Sequence, residues 1–146
     1  MFAVEAEPRN CTILRKNIAV NGFKDRVTVI PKAALETRRK VTLHRNLEYF
    51  GGHAVFEDTE SDAPSDCIEI EAVPLDDMLP AKVDFVKIDT EGSEPYILRG
   101  MRRVLRENPQ IKIVMEINPP ALERGGVSTT DFFSRGPRVR FSCGDG

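Results

Sequence analysis

Two apolar, β-prone runs, residues 83–88 and 111–117, flank a stretch in which Ile97, Leu98, Met101, Val104 and Leu105 fall at i, i+1, i+4, i+7 and i+8. A run without polar alternation reads as a strand buried on both faces, and the spacing between the runs reads as a helix with one apolar stripe. Strands of this kind separated by amphipathic helices pack as a mostly parallel α/β sheet covered by helices. This pattern constrains the fold more than any other feature of the chain.

The remaining segments fit the same plan. "MFAVEA" is a short β-prone start, Pro8 breaks it, and Asn10 is a predicted N-cap for a helix carrying Ile13, Leu14 and Ile18, stopped by Asn21-Gly22. "RVTVIPKAAL" reads as a second strand ending near Pro31, and "KVTLHR" as a third after a charged turn at Glu36 to Arg39. Residues 46–66 form a long polar loop with Gly51-Gly52, His53 and the acids Glu57, Asp58, Glu60 and Asp62. "CIEIEAV" alternates like a half-exposed strand, and "PLDDML" is a turn or short helix in which Asp76 and Asp77 cap or solvate the turn. After Gly92, Ser93 or Glu94 caps the helix that begins with Pro95, and "TTDFFSRG" is a further helix.

At 146 residues and 40% hydrophobic content the chain suffices for one core, so a single domain over 1–146 is expected. A net charge of −2 gives no electrostatic reason to expect nucleic acid or an anionic membrane as partner. No apolar run approaches the roughly 20 residues of a membrane span, and the first residues lack the pattern of a signal peptide, so the expected location is cytoplasmic. Cys11, Cys67 and Cys143 show neither CxxC nor Cys/His spacing, and the acidic run lacks calcium-loop spacing; no metal site is expected. Arg38-Arg39-Lys40 and Arg102-Arg103 read as solvated faces. His53 reads as a solvated loop residue.

Ligands of parallel α/β sheets bind beyond the carboxyl ends of the strands. Three such ends carry acids: Glu5, with Glu7, after the first strand, Asp89 and Glu91 after "VKI", and Glu116 after "IVM". One acid after a strand is ordinarily a solvated turn or a helix cap. Three converging on one sheet edge suggest a site.

"VDFVKIDTEGSEPYILRGMRRVL", followed by "IKIVMEINP", resembles the FkbM-type methyltransferases, in which a strand ending K-I-D-x-E-G leads into a helix and then a strand ending in Glu. "FAVEAEPRNCTILRKNIAVNG", "VIPKAAL" and "AVPLDDML" are similar to earlier segments of the family. The resemblance covers about residues 2–119, with 120–146 matched poorly. It implies a Rossmann-like class I methyltransferase sheet, S-adenosylmethionine as cofactor, and a small-molecule, glycan or lipid hydroxyl as acceptor. It places Glu5 on the ribose hydroxyls, with Glu7 as its substitute in a shifted register. Lys32, Ala33 and Ala34 then lie beside adenine, and Asp89 near the transferred methyl group as cofactor ligand or base. Glu91 is the second candidate base or an anion near the following helix.

The family's first strand and glycine-rich turn belong ahead of Phe2, where this sequence has Met1 alone, and neither Gly51-Gly52 nor Gly125-Gly126 replaces them. The expectation is an N-terminally truncated domain that binds S-adenosylmethionine poorly, turns over little and self-associates through exposed sheet edges. The alternative is a non-catalytic Rossmann-like remnant that binds nucleotide weakly or a protein partner.

Overall fold

The computed structural model describes residues 1–46, 52–56 and 65–135. The first β-prone run forms β1 (Phe2–Val4), and Pro8 opens α1 (Pro8–Val20). Glu7, rather than the expected Asn10, is the N-cap: its carboxylate accepts the Asn10 N–H at 2.7 Å. Proline in the first turn explains the earlier start, because its missing N–H has no intrahelical acceptor to lose. The helix stops at Asn21 as expected, and Gly22 turns the chain at φ +71°.

The strand expected to end near Pro31 is β2 (Thr28–Ile30), and the residues after the proline form a further strand, β3 (Ala33–Ala34), in a different sheet. Pro31 stands between them and has no N–H to give a ladder. β4 (Arg39–Asn46) and β5 (Ser65–Val73) follow, then α2 (Leu75–Met78), β6 (Phe85–Ile88), α3 (Glu94–Arg99), α4 (Arg102–Glu107), β7 (Lys112–Met115), α5 (Pro119–Arg124) and α6 (Thr129–Arg135). The helix expected in "TTDFFSRG" is α6, while residues 136–146, with Cys143, lie outside the described residues.

The single mostly parallel sheet expected from the sequence is replaced, among the described residues, by three small sheets ordered β1-β2, β3-β5-β4 and β6-β7. The pairs β1·β2, β3·β5 and β6·β7 are parallel, but the longest ladder, β4·β5, is antiparallel from Arg39↔Ala72 to Asn46↔Ser65. The apolar/polar alternation of residues 67–73 suits that arrangement, in which one face meets the core and the other water. β1 and β6 do not pair with each other, and each has one hydrogen-bonded neighbour among the described residues.

The helix expected across residues 97–105 is cut at Gly100-Met101 into α3 and α4. A Cβ on Gly100 would lie 2.1 Å from the Leu35 carbonyl oxygen, so the backbone approaches there closer than any side chain allows. Asp76 restarts the helix: its carboxylate accepts the N–H groups of Arg103 and Val104 at 2.8 and 3.0 Å, and its own N–H bonds the Gly100 carbonyl at 2.9 Å. The apolar stripe survives the break. Ile97, Leu98, Met101 and Val104 are buried together with Leu75, Ile88, Leu122 and Phe132 in the main core.

Candidate active site

Strand register builds the site. Ile88 pairs with Met115, and the Glu116 N–H continues the ladder to the Ile88 carbonyl at 3.1 Å, so Asp89 and Glu116 leave the two strands side by side. Both are exposed. Period-two alternation puts Lys87 on the same face as Asp89, and its ammonium donates to the Asp89 carboxylate at 2.6 Å.

These neighbours separate the two acids. The Lys87 ammonium, and after it a hydrogen bond from Glu116, hold the Asp89 carboxyl below its ordinary value. Hydrogen bonding to Asp89 and the repulsion of its charge raise Glu116, with smaller contributions from burial and from Glu91 and Glu94. The two carboxyls are therefore driven apart, Asp89 toward its charged form and Glu116 toward its protonated form.

The turn behind Asp89 is fixed from within. Glu91 adopts φ +49° and Gly92 φ +98°. Glu94 is 2% exposed, and its Oε1 accepts the Thr90 N–H at 3.1 Å, the Thr90 hydroxyl at 3.0 Å and the Gly92 N–H at 3.3 Å. The sequence marks Glu94 only as a candidate helix cap. Its work as the anchor of the turn depends on burial, which an acidic residue does not advertise. Ser93 occupies the cap position but makes no side-chain capping bond.

Glu5 leaves β1 with its N–H bonded to Ile30 at 3.1 Å. Its Oε1 accepts the Glu7 N–H at 2.8 Å, and its second oxygen takes no bond among the described residues. Glu7, by contrast, is 1% exposed and fully engaged: one oxygen caps α1 and the other meets Arg45 at 3.3 Å. Arg45 in turn grips Asp66 through two nitrogens. Ala33 is buried and pairs with Ala72, Ala34 pairs with Val73, and the Lys32 ammonium meets the Glu71 carboxylate. The structure thus joins Asp89, Glu91 and Glu116 at one turn. Glu5 and Ala33-Ala34 end or form strands of the other two sheets, so strand pairing does not draw the single edge expected.

His53 is half-buried in its loop, where its ring accepts the Asn46 N–H at 3.2 Å. Gly51 and the acids at 57, 58, 60 and 62 lie outside the described residues. Among the described residues no His, Cys, Asp or Glu group is arranged to hold a metal ion, and no helix is long and apolar enough to cross a membrane.

The family model of the methyltransferase FkbM domain matches residues 1–138. The chain belongs to the FkbM methyltransferase family. This FkbM-family chain is also similar in fold to the crystal structure of methyltransferase FkbM from Methylobacillus flagellatus KT, with a TM-score of 0.54 at 23% identity. That likeness covers 78% of this chain and 24% of the other, so the chain spans about a quarter of that protein's length. At this identity the likeness concerns the fold, here a mixed α/β fold with parallel strand pairs. No curated protein matches the chain.

Proposed function

We propose that this FkbM-family domain takes part in transfer of a methyl group from S-adenosylmethionine to a hydroxyl of a small-molecule, glycan or lipid acceptor. One observation carries the reading: Asp89 and Glu116 emerge side by side at the carboxyl ends of the parallel pair β6·β7, the first carboxyl held below its ordinary value and the second above it. The donor set fits the cofactor's chemistry, since a carboxylate suits both a ribose diol and a cation. When bound, S-adenosylmethionine supplies an electrophilic methyl group on a sulfonium.

The chain's own residues do the rest. Asp89, kept ionised by Lys87, attracts a cation by about 1 kcal/mol at 4 Å in water and about 4 kcal/mol in a partly dehydrated site. It also accepts the proton of the acceptor hydroxyl, while Glu116 steadies it by hydrogen bonding; Glu91 is the second candidate base. The free oxygen of Glu5 receives the ribose hydroxyls. Ala33 and Ala34 offer small side chains beside adenine. The reading includes a cytoplasmic location without nucleic-acid or membrane partners, supported by the net charge of −2.

Among the described residues no glycine-rich turn leads from a strand into a helix, and we propose that the chain alone binds the cofactor weakly and turns over little. The test therefore joins a family strand and glycine-rich turn ahead of Phe2 and measures transfer from labelled S-adenosylmethionine. Asp89→Asn is expected to lower turnover by about 100-fold, and Glu91→Gln by less than about tenfold. Parental turnover in Asp89→Asn removes Asp89 from the mechanism. Equal cofactor affinity of the chain with and without the added segment overturns the weak-binding proposal.

A second reading, a non-catalytic domain that docks onto a protein, is favoured by the outer face of β6·β7, where Phe85 and Val114 are 56% and 52% exposed. With one neighbour each among the described residues, β1 and β6 offer edges for pairing, and we propose self-association through them. Light scattering is expected to give a mass that rises with concentration; a constant monomer mass at all concentrations rejects it.

A further inference from the structure

We propose that Cys67, paired with His44, is a reactive thiol that forms mixed disulfides with small-molecule disulfides. The site lies on the β4·β5 ladder, where His44 and Cys67 stand directly opposite each other. The His44 N–H donates to the Ala54 carbonyl at 2.8 Å and its carbonyl accepts the Ala54 N–H at 3.0 Å. Both main-chain groups of His44 thus point away from β5, which makes His44/Cys67 a non-hydrogen-bonded cross-strand pair, the kind whose side chains come closest. Cys67 Sγ lies 3.4 Å from His44 Nδ1.

A reactive cysteine needs access and a group that stabilises or takes its proton. Cys67 is exposed and has the imidazole. Two neighbouring carboxylates among the described residues are already engaged: Glu69, two residues along the same face, binds Lys40 at 2.6 Å, and Asp66 is held by Arg45. Cys11 supplies the internal contrast. It is 1% exposed, its thiol donates to the Glu5 carbonyl at 3.2 Å, and burial, reinforced by the Glu5 charge, raises its pKa.

The step balances without another reagent. His44 Nδ1 takes the thiol proton, the Cys67 sulfur attacks one sulfur of the disulfide, and a new S–S bond forms as the old one breaks. The departing thiolate takes the proton from the imidazolium. Cys67 is oxidised and the released half of the reagent is reduced.

The experiment treats the folded chain with glutathione disulfide and maps adducts at each cysteine by mass spectrometry over time. The guanidinium-unfolded chain is the reference. Native Cys67 is expected to react about tenfold faster than the same thiol in the unfolded chain, and native Cys11 far more slowly than its unfolded counterpart. His44→Gln should bring native Cys67 down to the unfolded rate. Native Cys67 reacting no faster than unfolded Cys67, or at an unchanged rate in a folded His44→Gln chain, overturns the proposal.

Discussion

Gly92→Ala is expected to destabilise the chain by about 3 kcal/mol or more and to disorder the turn that carries Asp89 and Glu91. Two costs combine. Gly92 has φ +98°, and an L-residue held in a left-handed conformation pays about 1–2 kcal/mol. The new Cβ would also lie 2.2 Å from the Ala121 carbonyl oxygen and 2.7 Å from its carbon, backbone atoms that cannot rotate aside. Relief requires α5 to move, and overpacking of this kind typically adds about 1–3 kcal/mol. Gly22→Ala is the control: its φ is +71° but nothing lies within 4 Å of the added Cβ, so only the conformational cost of about 1 kcal/mol remains. Urea unfolding of the two variants separates the terms. Equal midpoints would mean that α5 does not press on the turn.

Glu94→Ala should cost about 2–4 kcal/mol, because one substitution orphans three donors: the N–H groups of Thr90 and Gly92 and the Thr90 hydroxyl. Glu94→Gln retains the accepting oxygen and is expected to stay within about 1 kcal/mol of the parent. Hydrogen exchange gives the local readout. The Thr90 and Gly92 amides should exchange much faster in Glu94→Ala and close to the parental rate in Glu94→Gln. Protection retained in Glu94→Ala shows that the turn is held by something other than this carboxylate.

The β6–helix–β7 unit was legible in the sequence because its signals are local: two apolar runs and a stripe with helical spacing. Where a distant atom decides, local signals fail. The break at Gly100 is set by the Leu35 carbonyl and the Asp76 carboxylate, and nothing in residues 97–105 announces either. Pro31 signals an interruption between β2 and β3, but not that the two halves join different sheets. At α1 the sequence did hold the answer, since proline at the first helical position points to Glu7 as the cap. In the candidate site, Asp89 and Glu116 were each recognisable as strand ends. Their adjacency depends on the register Ile88↔Met115, which becomes definite only when the strands pair.

The joint between α3 and α4 also divides the evolutionary freedom of the residues that make it. Asp76 contributes only acceptor atoms to the start of α4, so a replacement that presents an acceptor at the same place can inherit its task. Gly100 has no such latitude. What excludes a side chain there is the main-chain oxygen of residue 35, present whichever amino acid occupies that position, so no substitution at 35 can make room for one at 100. Drift in this part of the domain is free to rewrite the cap while leaving the glycine in place.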